Sequence, residues 1–155
     1  MGAELVYTLS LRGYQHLLRY VLAEGANINA QCGRYGNALQ AAAVGLGGNK
    51  EVVELLLAQG ADINAQGGVH GNALQAAAAA GFGGNKEVVE LLLAQGADIN
   101  AQGGRYGNAL QAAGYRGNKE VVELLLAQGA DINVQGGEYG NALQAAAYRG
   151  NKKVV

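Results

Sequence analysis

The sequence predicts an all-α solenoid of helix–turn–helix units joined by long, glycine-bearing, hairpin-like loops. Three observations predict it. The phrase Gly36-Asn37-Ala38-Leu39-Gln40-Ala41-Ala42 returns at Gly71, Gly107 and Gly140. Behind its first three copies stands Asn-Lys-Glu-Val-Val-Glu-Leu-Leu-Leu-Ala-Gln-Gly-Ala-Asp-Ile-Asn, beginning at Asn49, Asn85 and Asn118. The leading glycines are 35, 36 and 33 residues apart. A fixed period near 33 residues marks stacked units that cannot bury their apolar faces alone.

The elements follow in order within each unit. In the copy from Gly103 to Gln135, Asn108 stands at a helix N-cap with Gln111 three residues on, a capping-box variant. Ala109, Leu110, Ala112 and Ala113 make a short helix with a small-residue face, and Gly117 ends it. Asn118 is placed to cap a second helix, with Glu120 at the positive end of its dipole. Val121, Val122, Leu124, Leu125 and Leu126 cover more than one face, so this helix is expected to be buried from several sides. Gly129 is the left-handed residue past its end, Asp131 supplies turn chemistry, and Gly136-Gly137 turns the chain into the next unit.

Five units account for the chain: a diverged N-terminal repeat over 1–31, repeats over 32–66, 67–102 and 103–135, and a truncated repeat over 136–155. In the first, Gly13 aligns with Gly117 and Gly25 with Gly129, while Leu5, Val6, Tyr7 and Leu9 replace the small residues. The last unit stops before its Leu-Leu-Leu. Its residues 151–155 are expected to fray, leaving Leu124, Leu125 and Leu126 short of cover on an apolar edge prone to weak self-association. Two junctions between helices, around Leu46 and around Phe82, carry insertions that are expected to loop out.

Composition narrows the function. The 155 residues carry a formal net charge of −1, which suggests neither nucleic acid nor an anionic membrane as partner. Glycine is 26 of 155 residues, and it recurs at fixed repeat positions, so it reads as turns. One cysteine, Cys32, excludes an internal disulfide and suits an intracellular, cytoplasmic setting. No apolar run approaches the ~20 residues of a membrane span. His16 and His70 have no paired ligands, the lone Ser10 has no triad context, and no Gly-Lys-Ser/Thr follows the glycine-rich stretches. A non-catalytic chain with no cofactor and no metal is expected. Gly114 stands where other copies have alanine, so on propensity alone Gly114→Ala is expected to stabilise.

The second helix and its exit, Glu-Val-Val-Glu-Leu-Leu-Leu-Ala-Gln-Gly-Ala-Asp-Ile-Asn-Ala, resemble the ankyrin repeat over essentially the whole chain. The family's Thr-Pro-Leu-His at the start of helix one is here Asn-Ala-Leu-Gln. The Gly-Asn-Ala-Leu-Gln-Ala-Ala wording resembles arrays in large fungal proteins of the NACHT, NOD-like receptor type, where the array is the recognition end of a sensor. The resemblance implies a protein partner, bound by loop tips and the exposed face of helix one. The copies differ most at those places. They collect Arg34, Tyr35, Val69, His70, Arg105, Tyr106, Tyr115, Arg116, Glu138, Tyr139, Tyr148 and Arg149. Tyrosine and arginine are enriched at interface hot spots. For Tyr35, His70, Tyr106 and Tyr139 two roles stay open, bracing each tip against its neighbour or touching a partner. For Arg34, Val69, Arg105 and Glu138, contact with solvent or a ligand is favoured. The alternative to a binding module is a structural or engineered repeat scaffold with no native ligand.

Overall fold

A computed structural model of the chain describes residues 2–45, 49–81 and 85–151. The expected looping-out of Leu46 and Phe82 and the expected fraying of residues 152–155 lie outside the described residues. Nine helices are present among the described residues, and no extended strand is. They are α1 (Gly2–Arg12), α2 (Gln15–Ala23), α3 (Ala38–Val44), α4 (Lys50–Ala58), α5 (Ala73–Ala79), α6 (Lys86–Ala94), α7 (Ala109–Arg116), α8 (Lys119–Ala127) and α9 (Ala142–Tyr148). The all-α repeat solenoid is what the chain forms.

The helices stack in two rows. The odd-numbered helices pack tightly one on the next, and the even-numbered helices form a looser second row against them. Alanine explains the tight row. Ala41, Ala42 and Ala43 in α3, Ala76, Ala77 and Ala78 in α5, and Ala112 and Ala113 in α7 are completely buried, and small side chains let helix axes approach closely. Leu39, Leu74 and Leu110 join Val53, Leu56, Val88, Val89, Leu92, Val121 and Leu125 as the continuous core between the rows.

The capping-box expectation holds for α3, α5 and α9, where Asn37, Asn72 and Asn141 accept from the backbone N–H of Gln40, Gln75 and Gln144 and each glutamine accepts in return. In α7 Asn108 accepts from the Gln111 N–H, but the return bond is missing and Gln111 Oε1 is buried without a partner. The glutamines also stitch the stack forward. Gln40 Nε2 donates toward the carbonyls of Ala65, Gly67 and Gly71 at 3.1, 3.2 and 2.7 Å. Gln75 does the same toward Ala101, Gly103 and Gly107.

One capping expectation is corrected. Asn118 makes no side-chain cap to α8, and neither do Asn49 and Asn85 at α4 and α6. Their amides reach back one repeat and donate to carbonyls near the end of the preceding helix one. Asn49 donates to Ser10 and Leu11, Asn85 to Ala43, Asn118 to Ala78 at 2.7 Å, and Asn151 to Gly114 and Tyr115. Those carbonyls lie in the last turn, past the reach of the helix's own ladder, and two of them, Ser10 and Gly114, also accept from the N–H groups of Gly13 and Gly117.

The exit turns behave as expected. Asp62, Asp98 and Asp131 accept from the N–H two residues on. Their own N–H groups donate to Asn29, Asn64 and Asn100 of the repeat before. Burial is uneven among the apolar residues of α8 and the last described repeat. Leu125 is fully buried and Leu124 partly so, while Leu126, Ile132 and Leu143 are 40%, 51% and 54% exposed.

Candidate partner-binding site

Each loop tip is a tight hairpin closed by a single bridge: Cys32 to Gly36, Gly67 to Gly71, Gly103 to Gly107 and Gly136 to Gly140. Gly68, Gly104 and Gly137 have φ of +62°, +62° and +65°, and a Cβ there would strike the backbone of the preceding tip. Only glycine permits both the left-handed turn and that approach. The approach allows the tips to bond to one another. Val69 N–H donates to the Arg34 carbonyl (3.1 Å), Arg105 N–H to Val69 (2.9 Å) and Glu138 N–H to Arg105 (2.9 Å).

On this backbone spine the aromatic side chains form a ladder. Tyr35 stacks on His70 at 5.7 Å, His70 on Tyr106 at 5.9 Å, and Tyr106 on Tyr139 at 6.2 Å. Tyr115, from the end of α7, packs 5.2 Å from Tyr106 and 4.5 Å from Tyr139. Tyr148, from the end of α9, lies 5.0 Å from Tyr139 and 6.2 Å from Tyr115. Ring spacings of this kind are worth about 0.5–1.5 kcal/mol per pair beyond burial.

Ladder membership separates the candidate residues. Tyr106 and Tyr115 are buried, Tyr35, His70 and Tyr139 half-buried, and Tyr148 is 72% exposed. Arg34, Val69, Arg105, Glu138 and Arg149 are exposed, and Arg116 is half-buried. Arg105 is committed internally: Nε donates to Glu138 Oε2 and Nη2 to the Tyr139 hydroxyl, both at 2.9 Å. Arg149 lies over the Tyr115 ring at 5.1 Å, and Arg34 over Tyr35 at 5.9 Å.

The electrostatics follow from this packing. Burial, aided by the nearby Arg34 and Arg116 cations, pushes the His70 imidazole down to about 4, and its Nδ1 has no partner. The Tyr139 hydroxyl is pushed up to about 12, first by its hydrogen bond to Tyr115 and then by burial. Among the described residues no group of three His, Cys, Asp or Glu is placed to hold a metal ion, and no helix is long and apolar enough to cross a membrane.

A family model described as ankyrin repeats (3 copies) matches residues 5–103 and 74–155. The chain belongs to the ankyrin repeat family. Ankyrin repeats are generally protein–protein interaction modules and typically non-catalytic scaffolds. No curated protein matches the chain. The fungal NACHT-type wording finds no support in the family match, which reaches only the ankyrin repeat itself.

Two residues of this face escaped the sequence reading. Tyr7 in α1 fills the place of a preceding tip, its hydroxyl accepting from the Tyr35 N–H at 3.2 Å. Arg12 ends α1 where Arg116 ends α7, and it lines an open hollow with Leu11, Tyr35, Val44 and Gly45. The alignment of Gly13 with Gly117 carried the signal for Arg12.

Proposed function

We propose that the chain is a non-catalytic protein-binding scaffold that holds its partner on the loop tips and the ends of the helix-one row. One observation carries the reading. The inner faces of both helix rows are spent on stacking, whereas Arg34, Val69, Arg116, Tyr148 and Arg149 stand at least partly in solvent on a ladder already fixed by backbone bonds and ring stacking. Pre-ordered side chains lose little entropy on binding, which raises affinity for a given contact area. A role as the recognition end of a larger intracellular sensor fits this surface, and the lone Cys32 thiol suits a reducing compartment.

The rival is a scaffold with no native ligand. The Arg105–Glu138–Tyr139 bonds favour it, since part of the face satisfies itself. Affinity capture with the intact chain, a tip variant (Arg116→Ala, Arg149→Ala, Tyr148→Ala) and a second-row variant (Glu54→Ala, Glu90→Ala, Glu123→Ala) separates the two. A partner retained by the second-row variant and lost by the tip variant, with circular dichroism unchanged, supports binding at the tips. Failure of the intact chain to capture any partner above background supports the rival, and a partner captured equally by all three proteins removes the tips as its binding site.

A further inference from the structure

We infer that the tip face is built for an acidic, extended segment of a protein partner. The inference rests on the tip-face reading and supplies the partner's chemistry. Arg12, Arg34, Arg105, Arg116 and Arg149, five of the six arginines, stand at tips or at helix-one ends, and Glu138 is the one acid at those positions. The face thus carries a formal +4 from five arginines and one glutamate, and the remaining six Lys/Arg and eleven Asp/Glu give −5. The acids sit elsewhere: Glu51, Glu54, Glu87, Glu90, Glu120 and Glu123 are exposed on the second-row helices. A chain of nearly zero net charge is therefore strongly two-sided.

Among the described residues, only Arg105 has a carboxylate partner on this face. Among the described residues none meets Arg12, Arg34, Arg116 or Arg149. A guanidinium fork binds a carboxylate through two parallel hydrogen bonds; Arg34 and Arg149 are held over tyrosine rings, and Arg116 is steadied by a 3.5 Å bond from Nη2 to the Gly81 carbonyl. The spacing suits an extended chain. Tip rings repeat every 5.7–6.2 Å, close to the ~6.6 Å between same-side residues of a strand. Two open hollows offer apolar seats beside arginine. One is the hollow at Arg12 and Tyr35; the other is lined by Arg105, Glu138, Tyr139, Gln144, Ala147 and Tyr148. Single-stranded nucleic acid fits less well, because bases need free aromatic faces and these rings spend theirs on one another.

Random-peptide display on the folded chain tests this, with selected peptides measured by fluorescence anisotropy against the chain and its Arg116→Glu/Arg149→Glu variant. The expected result is enrichment of Asp and Glu, binding that weakens as salt rises, and a loss of at least about tenfold in the variant. Salt dependence on the unaltered chain serves where the variant fails to fold. Tip-dependent peptides without acidic enrichment would overturn this inference and leave the proposed function standing. An absence of tip-dependent peptides would overturn both. An oligothymidylate that binds the same face more tightly than any peptide would overturn the choice of an acidic protein segment.

Discussion

Gly114 sits in the last turn of α7, and a Cβ there would lie 2.9 Å from the Ala142 carbonyl oxygen of α9. Helix propensity favours alanine at this position, and the expectation of a gain is corrected on that contact: the two helices touch through backbone. Gly114→Ala is expected to lower the melting temperature, at a cost of about 1–3 kcal/mol for overpacking; a higher melting temperature would mean that α9 shifts away freely. Propensity is a property of one helix, whereas this contact belongs to two, so the sequence did not disclose it. His70 presents the opposite case, a tip residue for which the sequence left both bracing and partner contact open. It stacks between Tyr35 and Tyr106, with Arg34 and Arg116 acting on it, and stays neutral until about pH 4. The unfolded chain takes up that proton near the ordinary 6.5. Its contribution to stability is therefore whole above about pH 6.5 and is lost as pH falls toward 4. Denaturant midpoints near pH 7 and near pH 5 check this. His70→Tyr, the residue at three of the four tips, should lose less stability between them than the unaltered chain. An equal loss would contradict a buried neutral imidazole.

At the scale of elements, the beginnings of the second-row helices show what local patterns reveal and what they hide. An asparagine before a helix reads as a cap, and at Asn37, Asn72 and Asn141 it is one. At Asn118 the same residue donates to Ala78, forty positions earlier. No window on the sequence shorter than a repeat contains both partners. The roles are separable because a cap needs an acceptor and a clamp needs a donor. Asn118→Asp keeps the acceptor and removes the donor, so it should destabilise about as much as Asn118→Ala, roughly 1–3 kcal/mol for a buried group left unpaired. An aspartate variant as stable as the parent would restore the capping role. The leucines of α8 divide in the same manner. Their pattern announced burial from several sides, and Leu125 has it, whereas Leu126 is 40% exposed. Leu125→Ala is expected to cost roughly 2–5 kcal/mol, as core truncations do, and Leu126→Ala well under half of that. Equal losses in chemical denaturation would show that Leu126 packs as core.

Across the whole molecule the repeat period made the fold legible, because a sequence that recurs must stack and a stack of short helices must bury both rows. The face was legible only as a set of residue types. Sequence marked Tyr and Arg at the tips but could not apportion them between bracing and binding. That division depends on distances between neighbouring repeats, such as the 4.5 Å between the Tyr115 and Tyr139 rings and the 2.9 Å from Arg105 to Glu138. The result is a rigid ladder carrying positive charge, backed by an acidic second row, with only part of its surface spent on itself. The most direct measurement is a ¹H–¹⁵N chemical-shift map of the chain titrated with its tightest selected peptide. Binding at the tip face is expected to shift the tips and helix-one ends, centred on Arg34, Arg116, Tyr148 and Arg149, with the outward faces of α4, α6 and α8 unmoved. Shifts centred on those second-row helices, with the tips silent, would contradict it.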